Sequence, residues 1–314
     1  MKSKNWLILG MSAAVAAVSA NLLWRRSQRR VGEIAPLPAG QARRMLELIA
    51  PLVRLPTSPG QEPKVLVDGG GLLCRETGLV YPYRGRVLHL LEDDPALTVT
   101  QQALDTPFTA WFYDRYREAL LKLFSLPSFA EEVAAIQSRL QVGPGDVVLD
   151  LACGQGVFTV EWAKRAGPEG LVIGLDISQS MLARAAYHVS QWGLDNVLLV
   201  RGDAHRLPLA DSGVSKVNCS GGFHQFPDLA RALKEIARVS AAGARLTAST
   251  FAESPEDPRA DLKRWVRRQF DFHFVPVDWL GEQLTRLGYT DYDWAIPGGW
   301  FGYTSARKVF QKVA

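Results

Sequence analysis

The sequence predicts an α/β fold, a mostly parallel sheet covered on both faces by helices. Two observations predict it. From Val142 onward, short apolar runs of strand length alternate with stretches of helical periodicity. The first of these runs, Val147–Leu151, passes straight into a glycine turn, Cys153-Gly154-Gln155-Gly156, and then into a helical stretch. With 314 residues, 47% of them hydrophobic, the chain can bury one large core, or one core with a small appendage.

Charge is unevenly distributed. Residues 1–44 hold eight basic side chains against Glu33 alone, leaving 28 basic and 31 acidic side chains in the other 270 residues. A nucleic-acid binder spreads basic charge over its folded body. Here the excess flanks an apolar stretch, the pattern of membrane electrostatics. Cys74, Cys153 and Cys219 are scattered, have no metal-ligand spacing and suit a reducing compartment.

Asn5 to Trp24 is uncharged over 20 residues. As a helix it spans roughly 30 Å, the thickness of a bilayer core, with Trp6 and Trp24 at the two interfaces. A cleaved signal peptide, with Val18-Ser19-Ala20 as the cleavage site, is the rival reading. The apolar run continues past that point, and Arg25, Arg26, Arg29 and Arg30 follow it. Residues 1–30 are therefore expected to be a single-pass N-terminal anchor, with the body of the protein on the cytoplasmic or stromal-like side.

Residues 31–63 read as a Pro/Gly-rich linker with one helical patch, Gln41–Ile49. Residues 64–100 hold short strands and glycine turns, a small β-rich subdomain. From residue 101 to 314 the main domain begins with two helices divided by Pro127 and then alternates strand and helix.

Each strand of this domain ends in chemistry. Asp150 closes the first, and the small residues of Ala152-Cys153-Gly154-Gln155-Gly156 let backbone pass close to a ligand, beside the free N–H groups of a helix start. The second, Leu171–Asp176, ends in a carboxylate that can accept both hydroxyls of a ribose. The third, Val197–Val200, leads into Gly202-Asp203-Ala204, and the fourth, Val214–Cys219, into Ser220-Gly221-Gly222-Phe223-His224. A dinucleotide-binding turn would carry a third glycine where Thr159 stands, which argues against a nicotinamide-dependent reductase.

The sequence D-x-A-C-G-x-G and the motifs after it resemble class I S-adenosylmethionine (SAM)-dependent methyltransferases. The likeness is to the ubiquinone/menaquinone-biosynthesis (methyltransferase type 11) group, most of all to its plastid and cyanobacterial-like members. It covers roughly residues 65–310. It implies a Rossmann-like sheet of seven strands, one of them antiparallel, with Tyr289–Trp294 and Gly302–Val309 as the closing hairpin and Ala242-Gly243-Ala244 as a turn before the fifth strand. Residues 64–100 would be a degenerate zinc ribbon in which only Cys74 survives; four ligands are needed to hold structural zinc, so no metal is expected. The resemblance also implies that Asp150 borders the amino acid end of SAM, that Gly154 and Gly156 make room for it, that Asp176 holds the ribose, and that Ala152, Cys153 and Ile177 belong to the same cofactor site. Met181, Asp203 and Ala204 would meet the adenine, and Tyr113 would close over the cofactor.

Methyl transfer from a sulfonium is an in-line displacement that requires alignment and exclusion of water. Beyond the strand ends, His224 is the candidate general base, with a loop cap or pocket wall as its plainer role. Acceptor contacts are expected from Trp111 and Tyr116 in the lid Thr106–Arg117, from Phe223, from Trp265 in the helix Pro258–Phe270, and from Trp300. That helix reads as basic and amphipathic, with Lys263, Arg264, Arg267 and Arg268 around Leu262, Trp265, Val266 and Phe270, suited to a headgroup layer or to plain solvent. The expected activity is methylation of a lipophilic, membrane-associated acceptor, a prenylated quinol or its phenolic precursor. The alternatives are a tethered methyltransferase for small thiols or phenols, and a non-catalytic scaffold. The oligomeric state stays open.

Overall fold

The computed structural model describes residues 37–55, 63–65, 70–91, 102, 105–112, 115–116, 127–270, 273–296 and 299–309. The Trp6–Trp24 segment and Tyr113 lie outside the described residues. Among those described, no helix is long and apolar enough to cross a membrane.

The strands β5 (Val147–Leu151), β6 (Leu171–Asp176), β7 (Val197–Arg201) and β8 (Val214–Ser220) are interleaved with α3 (Val157–Ala166), α4 (Gln179–Gln191) and α5 (Leu229–Val239). β9 (Ser240–Glu253), α6 (Ala260–Phe270), β10 (Val275–Pro276), α7 (Val277–Arg286), β11 (Tyr289–Ala295) and β12 (Phe301–Lys308) complete the domain. In the sheet the order runs β7-β6-β5-β8-β9-β12-β11, all parallel except β12, which is antiparallel to both neighbours. These seven strands keep the expected α/β order with antiparallel β12 and its closing hairpin, but they are part of a larger, twelve-stranded mixed sheet.

Strand composition explains the two-sided cover. Leu149, Leu151, Ile173, Leu175, Leu198 and Val200 belong to one buried cluster, while the alternating Val148, Val172, Val197 and Leu199 belong to the other. Strands buried on both faces read as continuous apolar runs, as these do. Helix starts are capped locally. Asp228 accepts the Arg231 N–H at 2.9 Å to begin α5. Ser128 and Glu131 form a reciprocal capping box at the start of α2 (Phe129–Leu140).

Three regions differ from the sequence expectation. The helical patch expected in the linker forms as α1 (Ala39–Ile49), but its Ala42, Met45, Leu46 and Ile49 are buried in the principal core, so this stretch is no mere linker. The backbone after it bonds the loop that follows β7, Ala210 N–H to Leu52 O at 2.7 Å and Arg54 N–H to Pro208 O at 3.2 Å. Secondly, the strands of the β-rich stretch join the large sheet. β1 (Lys64–Val65), β2 (Gly71–Leu73), β3 (Val80–Arg84) and β4 (Val87–His89) are mutually antiparallel, and β4 runs parallel beside β7, pairing Val87 with Leu199 and His89 with Arg201. Cys74 there is buried and forms no disulfide among the described residues, and no metal-holding group of side chains exists among them. Thirdly, Ala242-Gly243-Ala244 is not a turn. β9 runs unbroken through it, and the extra residues are absorbed as a register shift opposite Val214–Lys216, with Gly243 at φ +81°.

Candidate active site

The sheet order reverses at β5, which has β6 on one side and β8 on the other. Connections on the two sides then leave in opposite directions, opening a crevice at the strand C-termini. There a cleft is lined by Ala152, Asp176, Ile177, Met181, Asp203 and Ala204, all expected from the sequence. Ser178, His205, Gly222, Gln225 and Phe226 join them.

Asp176 is placed to receive hydroxyls. Its Oδ1 accepts the Ser178 N–H at 2.9 Å and its Oδ2 the Gly154 N–H at 2.8 Å. Each carboxylate oxygen accepts up to two bonds, so both keep capacity for a ribose diol. Burial raises the Asp176 pKa against the pull of backbone N–H groups from Ser178, Gly154 and Ile177, and the Asp105 charge raises it further. Asp105, absent from the sequence expectation, accepts from Ser178 Oγ at 2.6 Å and the Ser180 N–H at 3.1 Å. It thereby ties the helical residues 107–112 to the start of α4.

The glycine turn divides its labour. Gly154, at φ +53°, faces space: a Cβ there would meet nothing within 4 Å. Gly156 does not make room for a ligand; a Cβ on it would lie 2.8 Å from Ala185 Cβ, so it lets α3 begin against α4. Ala152 holds φ +54°, a left-handed backbone that is costly for a residue with a Cβ. Cys153 is buried.

Asp150 lies behind the cleft. It is 1% exposed, its Oδ2 accepts Thr159 Oγ1 at 2.6 Å and its Oδ1 accepts Asn218 Nδ2 at 2.8 Å. The Asn218 amide is oriented by Thr247 Oγ1 and Ser220 Oγ, which both donate to its Oδ1. Thr159 thus fills the third-glycine position with a hydroxyl that the acid uses. Burial lifts the Asp150 pKa to about 6, opposed by the Thr159 and Asn218 hydrogen bonds. The folded state therefore holds this proton more tightly than the unfolded chain. Its contribution to stability is fully present below the ordinary value of 3.8 and is lost as pH rises through about 6. The difference amounts to about 3 kcal/mol. Denaturation of wild type and Asp150→Asn at pH 4 and pH 7 checks this: the wild type should lose about that much relative to the variant, and a pH-independent difference contradicts it.

On the acceptor side, the turn that closes the cleft carries His224 onto β9. Its backbone N–H donates to Thr250 Oγ1 at 3.2 Å, its Nδ1 lies 3.1 Å from the same oxygen, and its ring stands edge-on to Phe251 at 5.1 Å. Burial lowers the His224 pKa to about 4, helped by the nearby His273 charge. The imidazole is neutral at neutral pH but weakly basic, which suits a hydrogen-bond partner better than a proton acceptor. Around it, Phe251 meets Phe301 at 5.4 Å and Phe274 at 6.4 Å, and Phe274 meets Trp300 at 6.0 Å.

The other expected acceptor contacts lie elsewhere. Phe223 is 1% exposed in the core, beneath Phe226. Trp111 is buried against Tyr116, their rings edge-on at 6.0 Å. Trp265 is 53% exposed on the outer face of α6. Lys263 is not part of a basic outer face: it is fully buried, bonded to Asp257 and to Ala252 O, with its Nζ 5.2 Å from the Phe274 ring and 5.7 Å from that of Trp300.

The residues present fit SAM: an open glycine cradle, a two-oxygen acceptor at the second strand and a further carboxylate at the third. Comparison with known proteins agrees. The family described as Methyltransferase domain matches residues 143–279. An uncharacterized chloroplastic methyltransferase of Arabidopsis thaliana is 26% identical over 76% of this chain and 70% of its own. A demethylmenaquinone methyltransferase of Geobacillus stearothermophilus is 32% identical over 51% of this chain, which spans 65% of that enzyme. A SAM-dependent methyltransferase from Aquifex aeolicus shares the fold, with a TM-score of 0.50 and 21% identity over 65% of this chain and 99% of its own. Sheet order and cleft give this chain the fold of a SAM-dependent methyltransferase, and residues 143–279 match a methyltransferase domain.

Proposed function

We propose that the enzyme methylates a lipophilic acceptor drawn from a membrane, a prenylated quinol or its phenolic precursor. The observation that carries this reading is the aromatic wall of Phe251, Phe274, Trp300 and Phe301 beside a half-buried, neutral His224. An apolar wall takes a ring and its tail, and a neutral imidazole bonds a phenolic oxygen without placing a charge against it. SAM, when bound, supplies an electrophilic methyl on sulfur. The chain's part is to hold the ribose at Asp176, orient the acceptor at His224 and keep water from both. The demethylmenaquinone methyltransferases among its relatives support the same acceptor class.

Membrane delivery belongs to this proposal. The Trp6–Trp24 segment serves as the anchor, with the body on the side where SAM is made, and α6 meets the headgroup layer through Leu262 and Trp265, both about half exposed. Residues 64–100 are read as a degenerate zinc ribbon whose strands β1–β4 join the sheet.

The test is turnover with methyl-labelled SAM on demethylmenaquinol in vesicles, beside soluble thiols and phenols. Label in the quinol supports the proposal; label only in the soluble acceptors overturns it. Deleting residues 1–30 should leave cofactor binding intact and lower turnover on the vesicle substrate. Unchanged turnover contradicts membrane delivery.

A further inference from the structure

The turn after β7 holds a pair that the cofactor reading alone does not require. Asp203 Oδ1 accepts two bonds from the same residue, the His205 backbone N–H at 2.9 Å and His205 Nδ1 at 2.7 Å. On the far side of the ring, Nε2 takes the Asp228 N–H at 3.4 Å. A backbone N–H can only donate, so Nε2 is an acceptor there, and the ring proton of the neutral imidazole sits on Nδ1. The His205 carbonyl is held by Arg231 Nε at 3.0 Å, and the ring stands edge-on to Phe226 at 6.0 Å. His205 is thus fixed from α5 and the turn before it, and through its Nδ1–H it fixes Asp203.

The consequence falls on the second Asp203 oxygen. With Oδ1 occupied by two donors, the carboxylate cannot rotate freely, and Oδ2 is the oxygen left to accept from a ligand in the cleft that both residues line. We propose that His205 is a positioning residue for base selection. It locks Asp203 so that Oδ2 accepts the exocyclic amino group of an adenine and rejects a purine with a carbonyl at that position. A fixed acceptor discriminates because the wrong base places oxygen against oxygen, whereas a swivelling carboxylate turns away and tolerates it.

The experiment is calorimetric titration of the full chain with S-adenosylhomocysteine and with S-inosylhomocysteine, which carries hypoxanthine. Wild type should prefer the adenine nucleoside by on the order of 100-fold. His205→Phe keeps a ring against Phe226 but removes both nitrogens, and the preference should fall to about tenfold or less, chiefly through weaker binding of the adenine nucleoside. His205→Asn, whose amide can donate from near the position of Nδ1, should restore most of the preference. A purely structural role would lower both affinities by the same factor and leave their ratio unchanged. An unchanged ratio in His205→Phe, or no preference in wild type, overturns the proposal.

Discussion

Replacing Asp176 by alanine is expected to weaken binding of S-adenosylhomocysteine by about 100-fold. Asp176 lines the cleft, and its oxygens keep acceptor capacity beyond the Ser178 and Gly154 N–H groups that orient them. A hydrogen bond to a charged acceptor contributes about 1.5 kcal/mol or more, and a ribose offers two, together about 3 kcal/mol. Asp176→Asn keeps one acceptor oxygen and should fall between the two. Calorimetry on variants with unaltered circular dichroism checks this ordering; an alanine variant that binds as tightly as wild type contradicts the assignment of the ribose site.

Asp257→Ala should be the most destabilising single change outside the hydrophobic core. It leaves Lys263 charged and fully buried, with Ala252 O as its remaining described hydrogen-bond partner and the Phe274 and Trp300 rings at its sides. Removing one member of a buried pair costs about 3–5 kcal/mol, far more than the pair contributes over an apolar replacement of both. Chemical denaturation should therefore show a loss of that size for Asp257→Ala and recovery of most of it when Lys263→Met is added. A loss below about 1 kcal/mol would contradict the burial of the pair. Because α6 covers the aromatic wall, the single variant should also lose turnover more than cofactor affinity.

What could be read from the chain beforehand was what is local in it. Strand ends at Asp150, Asp176 and Asp203, and the glycine turn between them, are written in consecutive residues, and the sheet places them side by side. Partners from distant segments were not legible. Thr159 showed only as a missing glycine until α3 brought its hydroxyl onto Asp150. Asp105 reaches Ser178 from a separate helical segment, and His205 matters because Asp228 sets its tautomer. The α6 helix misled for a definite reason. Its charge run placed Lys263 among the outer basic residues, yet Lys263 faces inward, because Asp257, six positions earlier, neutralises it and the Phe274 and Trp300 rings shelter it. Gly156 misled in the same way, since glycine in a ligand turn and glycine under a crossing helix look identical in sequence.

The central claim, that the crevice where the sheet reverses holds SAM, is tested most directly by a crystal structure of the full chain with S-adenosylhomocysteine. The account predicts the ribose hydroxyls on both Asp176 oxygens, the thioether end over Gly154 and the adenine between Met181 and Asp203. Density for the nucleoside anywhere else, or Asp176 turned away from it, would contradict the account.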